Sequence, residues 1–527
     1  MTVDTSSEAS SFPVSLLQDE DEAAQRRGVF FFINPDSGSN DGLRLIQAGV
    51  NHLVLSAPEI CEVFIFDIRD GQSGNKKGFH RLAAALSNPR RKHEADAFVD
   101  TSFPDHSRFQ FSVICVGGDG TVIWCITEMM KHNINLSKVA FGVIPYGTEA
   151  KFFIFALEKA IYKFFYSSIC CSSSHTIHFS GNDFAIAFGW KNFTLNDPFG
   201  RSLKVLRNLI AVIFSSKVVS HDLWNINVEI NATGQFSKID SKSRQNILGL
   251  SENWVFSLHF AWLFNWKAVV VNWDESVYIL MPSIFLFLCA LKFILFHPVS
   301  TKDLNVVLVE DQKEKKLTFL MGNYFSIGIE SRIGRGFDRN RAHNRFLNKM
   351  MYAFEGIKKT FKRNLRADHF IDSLIETHDT EIVIFSTQRT SHNPVLKKAV
   401  SLVALNVPSF SAGNDAWKSS RSVGLKFPDK PSMKNSALLS LPQKTGDGLL
   451  EFLSFSRVAD LGLEFVFKGQ GKRIHQGGGP YILRFRDISP EQRVYFQVDG
   501  EFYRMTQPKF ASIDRFVKIF VLVPSGN

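Results

Sequence analysis

Hydrophobic residues in the first third of the chain form short continuous runs, and each run is stopped by a turn. The runs are Gly28–Ile33, Cys61–Phe66, Phe111–Val116 and Val139–Ile144. Helical patterns lie between or after them, at Leu43–Leu55 and Val122–Lys131. Apolar strands separated by helices are typical of a parallel sheet that is covered on both faces. This region therefore predicts a doubly wound α/β domain.

Hydrophobic runs in the C-terminal half are separated by Gly, Pro, Asn and Asp, which is typical of antiparallel strands in a sandwich. The predicted strands are Val306–Val309, Leu317–Phe319, Glu381–Phe385, Val400–Leu405, Leu449–Phe455, Leu463–Phe467, Tyr481–Phe485 and Val494–Val498. A long helical pattern at Arg341–Arg366 interrupts them. The predicted fold class is α/β + β, a doubly wound parallel-sheet domain followed by an antiparallel β-sandwich domain.

Composition narrows the class of protein. The 527 residues are 45% hydrophobic and 21% charged, which excludes bulk disorder. The net charge of +10 weakly favours anionic partners such as phosphates, acidic lipid surfaces or nucleic acid. Six cysteines without a CxxC pair exclude a disulfide scaffold and a Cys-rich zinc module, so a reduced intracellular compartment is expected. Residues 1–27 are polar and acidic, which predicts a disordered leader and not a signal peptide.

A glycine turn after the third predicted strand carries the clearest chemical signal. It consists of Gly117, Gly118, Asp119, Gly120 and Thr121, and it opens a helix. Glycines let the backbone approach a phosphate closely, and a helix N-terminus offers free N–H groups. Asp119 is placed to reach a Mg²⁺ ion on those phosphates, since hard cations prefer carboxylate oxygens. The alternative is an ordinary strand–helix turn with Asp119 at the helix start.

Two more turns support a nucleotide triphosphate site. Asn34, Ser37 and Gly38 follow the first strand, and Gly147 and Thr148 follow the fourth. The carboxyl ends of parallel strands are where open α/β sheets bind ligands. The sequence contains no GxxxxGK[ST] loop and no kinase HRD or DFG motif, so the two common phosphoryl-transfer folds are not indicated. We expect the first domain to bind a nucleotide.

These motifs resemble those of the diacylglycerol kinase catalytic region. The similar stretches are FFINPDSGSNDG (31–42), VICVGGDGTVIWCI (113–126) and FGVIPYGT (141–148). Stretches similar to the family's accessory region follow in order, and they are HDLWNINV (221–228), MGNYFSIGIESRIGRGFDRNR (321–341), FLNKMMYAFEGIK (346–358), LNVPSFSAGNDAW (405–417), DGLLEF (447–452) and QVDGEFYR (497–504). No framework for zinc-bound lipid-binding modules or EF-hands is present, so the sequence is similar to small members of the family.

The family's third motif is split in this chain. Pro145-Tyr146-Gly147-Thr148 and Gly181-Asn182-Asp183-Phe184 are separated by the 32 residues Glu149–Ser180, which are rich in Phe, Tyr, Ile, Cys and Ser. An apolar loop of this length inside a phosphate-binding turn is physically unfavourable. The favoured interpretation is non-coding sequence read as protein; the alternatives are a genuine insertion and a coincidental match.

A second departure is the apolar segment at about 246–298, which contains four of the eight Trp. Within it, Val277–Phe296 holds 20 residues with one Lys and is long enough to span a membrane. The interpretations are a second spurious insertion, a membrane-associating insertion and a buried core helix. Composition predicts a disordered leader at 1–27. The resemblance predicts a catalytic nucleotide-binding domain (28–220, with insertion 149–180) and an accessory β-sandwich domain (221–523, with the insertion at about 246–298).

The resemblance implies transfer of the γ-phosphoryl group of ATP to the hydroxyl of 1,2-diacylglycerol, which gives phosphatidic acid in lipid signalling, with Mg²⁺ as cofactor. The implied nucleotide-binding residues are Asn34, Ser37, Gly38, Gly117, Gly118, Gly120, Thr121, Gly147, Thr148, Gly181, Asn182 and Asp183. Asp119 would act through Mg²⁺, and Asp447 matches the position of a general base in bacterial relatives. An Asp-Gly hairpin turn is the structural alternative for Asp447. Asp499 and Glu501 are weaker candidates in a similar turn.

The expected partners are diacylglycerol in membranes and an anionic lipid surface, with no nucleic acid and with cytoplasmic, peripheral membrane localisation. The basic stretch Glu355–Arg366 would meet such a surface, although a solvated helix face is the alternative. Two other functions stay open. One is a sphingoid-base or ceramide kinase, and the other is a catalytically impaired pseudokinase that binds lipid or nucleotide, which the split third motif favours.

Overall fold

The computed structural model describes residues 26–37, 41–56, 60–87, 109–145, 182–191, 193, 198–200, 203–238, 315–339, 365–388, 392–411, 413–429 and 431–525. Several expectations lie outside these residues: the leader up to residue 25, the insertion at 149–180, the apolar segment with its 277–296 span, the strand at 306–309 and most of the helix at 341–366. No helix in the described ranges is long and apolar enough to cross a membrane.

The N-terminal half contains strands β1 to β7 and helices α1 to α5. The strands are β1 Arg27–Ile33, β2 His52–Leu55, β3 Cys61–Asp67, β4 Phe111–Gly117, β5 Val139–Pro145, β6 Lys217–Ile230 and β7 Phe236–Lys238. The helices are α1 Asp41–Gln47, α2 Lys77–Leu86, α3 Asp119–Lys131, α4 Asp183–Ala187 and α5 Lys204–Ser215, with a 3₁₀ turn at Leu136–Lys138.

Strands dominate the C-terminal half. They are β8 Lys316–Met321, β9 Tyr324–Gly328, β10 Ile371–Thr377, β11 Glu381–Ser386, β12 Val395–Leu396, β13 Ser401–Leu405, β14 Ser422–Val423, β15 Leu425–Lys426, β16 Leu450–Phe455, β17 Lys472–Gly477, β18 Tyr481–Phe485, β19 Val494–Val498, β20 Glu501–Met505 and β21 Pro508–Val523. The helices are α6 Ile329–Arg339, α7 Ala367–Phe370, α8 Ala416–Ser419, α9 Pro431–Ser440 and α10 Val458–Phe467.

A parallel sheet forms the first part of the molecule, and it confirms the predicted fold class. Its strands lie in the order β3-β1-β4-β5 and pair in parallel. All seven residues of β4 and of β5 are buried, because helices and the rest of the protein cover both faces. After β1 the chain forms β3 on one side of β1, and it then crosses to form β4 on the other side of β1. The carboxyl ends of β1 and β4 therefore flank the crevice where ligands bind in such sheets.

The long strand β21 joins the parallel sheet to the C-terminal half. Phe520 and Val521 pair in parallel with Ala140 and Phe141 of β5. Along its length β21 also pairs with β6 and β18, both antiparallel. Among the described residues these strands belong to one mixed sheet of 13 strands. The two halves thus share one hydrogen-bonded sheet, a continuity that the hydrophobic pattern does not predict.

The second sheet, in the order β14-β17-β16-β13-β9-β19-β20-β7, packs against the mixed sheet as a sandwich. Their shared core is apolar and buried. Trp224 and Ile226 come from β6, Leu374 from β10, and Phe452 and Phe496 from the second sheet. Neighbouring strands of this sheet pair antiparallel, apart from β14 with β17. The predicted antiparallel β-sandwich is therefore confirmed.

Two element predictions are wrong. The helix predicted at Leu43–Leu55 ends at Gln47, and strand β2 begins at His52. Gly49, with φ of +69°, turns the chain between them. The strand predicted at Leu463–Phe467 lies in α10, because Asp460 accepts hydrogen bonds from the Arg457 backbone N–H and guanidinium and closes the first helical turn.

Trp190 fastens the segment after α4 to the sheet, and its replacement tests that packing. The buried indole lies against the Cα of Gly142 in β5 and donates from Nε1 to the Leu522 carbonyl of β21 at 2.6 Å. We expect Trp190→Phe to lower the free energy of unfolding by about 2–3 kcal/mol, since it opens a cavity and removes a buried donor. Urea unfolding measures the change. Ile382→Ala, at an exposed position, is the control and is expected to shift it by less than about 0.5 kcal/mol.

Candidate functional site

The turns after β1 and β4 meet at the crevice. Asn34 donates from Nδ2 to the Thr121 hydroxyl at 3.1 Å. A Cβ on Gly117 would lie 2.4 Å from Thr121 Oγ1 and 3.0 Å from Ser37 Oγ, so only glycine allows these groups to approach. The structure therefore brings together Asn34, Ser37, Gly117 and Thr121, as the sequence predicts.

Gly118 and Gly120 border open space. A Cβ built on either glycine would have no atom within 4 Å beyond its chain neighbours. Gly118 is the N-cap of α3, and no side chain caps that end of the helix. A helix N-terminus carries a partial positive charge and unpaired N–H donors. This part of the turn fits an approaching anion of the size of a phosphate.

Asp119 holds the start of α4. Its Oδ2 accepts from the backbone N–H of Asp183 at 2.9 Å, and its Oδ1 accepts from that of Phe184 at 3.0 Å. Desolvation raises the pKa of the Asp119 carboxyl well above its usual range, and the charges of Asp183 and Asp499 raise it further. Each oxygen keeps a second lone pair, so the carboxylate has capacity for one more partner.

Asn182 connects the second half of the split third motif to the same turn. Its side chain is fully buried, donates to the Gly117 carbonyl at 2.9 Å and accepts from the Ala185 N–H at 2.8 Å. This is an N-cap for α4 and a contact across 65 residues of sequence. Asn182 therefore joins the start of α4 to the glycine turn, and Asp183 follows it as the first residue of α4.

Asp183 extends these contacts to the C-terminal half. It is buried, and its Oδ1 accepts from the Ser409 hydroxyl and from the Gly413 N–H at 3.0 Å. Ser409 and Gly413 belong to the stretch between β13 and α8. One carboxylate thus links the start of α4 to the loop of the C-terminal half that faces it.

Asp499 stabilises a turn beside α3. Its buried carboxylate accepts from the backbone N–H groups of Gly322, Asn323 and Tyr324. Burial raises its pKa to about 6, although these three bonds act in the opposite direction. Gly322 lies against Ile123 of α3, which places the Asp499 turn next to the glycine turn. Its lone pairs are engaged by backbone, which is the arrangement of a structural residue.

Glu501 lies on the surface. It pairs with Lys238 at 2.6 Å and accepts from the Tyr503 hydroxyl at 3.0 Å. Its carboxylate is about half exposed. Neither contact reaches the glycine turn, so the geometry favours the structural alternative for Glu501.

Asp447 lies in a different cluster, on an exposed turn. Its Oδ1 accepts from the Leu449 N–H at 3.0 Å. Desolvation raises the pKa of Asp447, and the charge of Asp222 adds to this effect. The buried Asp222 carboxylate of β6 accepts from the Gly448 N–H at 2.7 Å and thereby fixes the turn against the sheet.

Adjacent residues of β6 connect the two clusters. His221 packs edge-on against Phe184 and Phe188 of the α4 region, with ring centroids 5.4 and 5.1 Å apart. The side chain of its neighbour Asp222 points to the opposite face of the strand, because successive side chains alternate. There it accepts the hydrogen bond that holds the Asp447 turn. Any displacement of β6 would move both the Asp119 cluster and the Asp447 turn.

Four predicted nucleotide-binding residues, Gly38, Gly147, Thr148 and Gly181, lie outside the described residues. The described part of the chain contains no cluster of three or more His, Cys, Asp or Glu that would hold a metal ion unaided. The assignment of roles to individual residues and the predicted domain boundaries stay predictions.

Comparisons with known proteins agree with this architecture. The diacylglycerol kinase catalytic domain matches residues 28–161, and the diacylglycerol kinase accessory domain matches residues 320–502. The two matches together cover more than half of the chain. The chain belongs to the diacylglycerol kinase family.

Curated diacylglycerol kinases show the extent of the similarity. The chain is 26% identical to probable diacylglycerol kinase 3 of Caenorhabditis elegans over 502 residues, which is 93% of this chain and 43% of that protein. It is 26% identical to human diacylglycerol kinase iota over 211 residues, or 39% of this chain and 17% of that protein. The chain thus spans less than half the length of these relatives. A structure of yeast NADH kinase complexed with NADH covers 95% of this chain and 84% of its own at 8% identity, but its TM-score of 0.30 is too low to support an inference.

The structure of this diacylglycerol kinase family member adds residues that the sequence reasoning missed. Asn406 donates to the Gly322 and Asp222 carbonyls and accepts from the Trp224 indole at 3.0 Å. Ser409, three residues later, holds Asp183. Both lie in the LNVPSFSAGNDAW stretch (405–417). That stretch contributes to the family resemblance, but the sequence assigns no role to any of its residues. A run of small polar residues next to a buried strand was the available signal.

Glu330, at the start of α6, is another buried acid near this junction. It accepts from the hydroxyls of Ser326 and Ser331. Burial raises its pKa to about 7, these hydrogen bonds act in the opposite direction, and the charge of Asp183 adds to the increase. The folded protein therefore binds this proton more tightly than the unfolded chain does.

This proton linkage predicts a pH-dependent stability. The contribution of Glu330 is complete below pH 4.5 and is lost as pH rises through about 7, a change of about 3 kcal/mol. We expect Glu330→Gln to raise the free energy of unfolding, relative to the wild type, more at pH 8 than at pH 5. Urea unfolding at both pH values measures this difference. Glu381→Gln, at an exposed position, should show no such divergence; an equal offset for Glu330→Gln at both pH values would contradict the assignment.

Proposed function

We propose that this diacylglycerol kinase family member transfers the γ-phosphoryl group of ATP to the free hydroxyl of 1,2-diacylglycerol and produces phosphatidic acid. The supporting observation is the open space beside Gly118 and Gly120 at the uncapped start of α3. The Asn34–Thr121 and Asn182–Gly117 hydrogen bonds hold the surrounding turns in place. Backbone N–H groups there would bind the phosphates without a P-loop lysine.

The residues around the glycine turn fit a magnesium ion that arrives with the nucleotide. The charges of Asp183 and Asp499 raise the pKa of Asp119, so negative charge is concentrated around its carboxyl group. Magnesium usually binds one or two carboxylates together with substrate phosphates and water, so no complete protein cage is needed. Asp119 would hold the ion, which supplies charge neutralisation at the transferred phosphoryl group.

The family resemblance makes Asp447 the candidate base for the attacking hydroxyl, on a turn that Asp222 fixes to the face of β6 opposite the Asp119 cluster. An alcohol must lose its proton as it attacks phosphorus, and an exposed carboxylate with a raised pKa accepts that proton more readily. Asp499 is less suited, because its oxygens accept three backbone N–H bonds. Asp222 and Gly448 would keep the base on a fixed turn at the protein surface, where a lipid can reach it.

A pseudokinase is the second candidate, and the interrupted third motif favours it. A phosphoryl-transfer assay distinguishes the two. The full chain and a version with Thr148 joined to Gly181 are supplied with labelled ATP, Mg²⁺ and vesicles containing diacylglycerol or sphingosine. We expect label in phosphatidic acid, and a loss of at least about a hundredfold in turnover for Asp447→Asn. Asp119→Asn is expected to abolish turnover while the protein stays folded.

Other outcomes of this assay would change the assignment. Activity only in the shortened version would identify residues 149–180 as foreign to the working enzyme. Label in sphingosine and none in diacylglycerol would make the protein a sphingoid-base kinase. Absence of turnover in both versions, with ATP binding intact, would support the pseudokinase.

Glycine substitutions test phosphate binding independently of turnover. Gly118→Ala places a methyl group in the open space, so we expect unchanged thermal stability and an ATP dissociation constant at least about tenfold higher. Gly117→Ala instead clashes with Thr121 and should lower the free energy of unfolding by about 1–3 kcal/mol. Gly462→Ala is the control, since its Cβ also meets open space and it lies exposed on α10. Normal ATP affinity in Gly118→Ala, measured by calorimetry, would contradict the proposed site.

A further inference from the structure

An exposed phenylalanine lies on β21 between Arg515 and Lys518, which both contact the Asp447 turn. Phe516 is 48% exposed. It is an extra residue in the β21–β6 ladder, since Arg515 pairs with Trp224 and Val517 with Leu223, with Phe516 between them. Such bulges re-aim a side chain away from the sheet. Covering a large aromatic ring is favourable, so Phe516 would contribute to an interface that also engages the neighbouring basic residues.

Two basic residues close to Phe516 in the sequence contact the Asp447 turn, and a third acts on the charge of Asp447. A Cβ on Gly448 would lie 2.3 Å from the Arg515 guanidinium, which therefore rests against the turn. Lys518 donates from Nζ to the Gly446 carbonyl at 3.0 Å. Lys444 lies close enough to lower the pKa of Asp447. We call Lys444, Arg515, Phe516 and Lys518 the bulge surface.

The bases of the bulge surface outnumber by one the acids that face them at the turn. Asp447 is exposed on the turn itself, and Asp222 is buried beneath it, 3.9 Å from Lys518 Nζ. Three bases and one aromatic ring thus face outward beside one exposed carboxylate. This combination matches an anionic lipid surface, where basic side chains meet headgroups and an aromatic ring enters the interface.

We propose that the bulge surface is the membrane-docking site of the protein and that it seats on bilayers containing anionic phospholipid. This proposal rests on the proposed function, since a kinase whose substrate lies in a bilayer must bring its base to the bilayer surface. The bulge surface and the Asp447 turn are in direct contact, so docking presents the turn to the lipid headgroups. The basic stretch at 355–366 is not needed, and its described member Arg366 pairs with Asp368.

Ile382 supplies a matched control. It is 53% exposed on β11 and thus offers a similar apolar side chain to solvent. It follows exposed Glu381 and pairs with Glu376, so its surroundings are acidic where those of Phe516 are basic. If vesicle binding depended only on surface hydrophobicity, Phe516→Ala and Ile382→Ala would weaken it equally. Docking at the bulge surface instead predicts weaker binding for Phe516→Ala alone.

Vesicle flotation tests the proposal with the full chain. We expect binding to phosphatidylcholine vesicles that contain phosphatidylserine, and weaker binding to phosphatidylcholine alone. Phe516→Ala should reduce the partition coefficient by about tenfold, and Lys444→Gln by about fivefold on anionic vesicles only. Ile382→Ala should bind as the wild type does. Unchanged binding of Phe516→Ala, or an equal loss in Ile382→Ala, would overturn the proposal.

Two further readouts separate this proposal from the others. The ratio of turnover on vesicle-borne diacylglycerol to turnover on dispersed short-chain diacylglycerol should fall in Phe516→Ala. If neither the wild type nor any variant phosphorylates either substrate, the proposed function is wrong. The docking site is still supported in that case when Phe516→Ala, and not Ile382→Ala, binds vesicles more weakly than the wild type. Sedimentation velocity tests for a second copy of the chain as the occupant; a dimer that Phe516→Ala dissociates would refute lipid docking.

Discussion

The interlock between the glycine turn and the start of α4 is the contact on which the candidate site depends. Asn182 donates to the Gly117 carbonyl, and Asp119 accepts two hydrogen bonds from backbone N–H groups of α4. Both side chains are polar groups held among protein atoms, where an unpaired hydrogen-bonding group costs about 1–3 kcal/mol. Each side chain pairs with backbone groups of the other segment. The arrangement is therefore stable only when the glycine turn and the start of α4 are both present. The nucleotide-binding turn and the following helix therefore form one unit.

Carboxylates are concentrated at the junction of the two halves. Asp119, Asp183, Asp499 and Glu330 accept hydrogen bonds from backbone N–H groups or hydroxyls. Burial raises the pKa of Asp119, Asp499 and Glu330, because a charged carboxylate is poorly solvated there. Under the proposed function, a cation that arrives with a polyphosphate would favour the charged form of Asp119 and thereby lower its pKa.

Much of this site could be predicted because its residues are close to turns with distinctive composition. The strand–GGDGT–helix pattern predicts the turn at Gly117 and the helix α3 that follows it. The four parallel strands are predicted by their continuous apolar runs. The contacts of Asp183 with Ser409 and Gly413 could not be predicted, since nothing local links residues more than 220 positions apart. At Leu463–Phe467 the composition predicts a strand, but the structure has a helix. The helix start at Arg457 and Asp460 outweighs the local β propensity there. The roles of Asp119 and Asp447 as chemical groups stay predictions.

The pairing of β21 with β5 also has a consequence for how the protein is made on the ribosome. The N-terminal sheet lacks its neighbour at β5 until about 380 further residues have been synthesised. At about 5–20 residues per second, that interval lasts on the order of tens of seconds. During it, the apolar edge of the nascent sheet is open to pairing with other chains. We therefore expect newly made chains to depend on chaperones until β21 has been synthesised and can cover that edge.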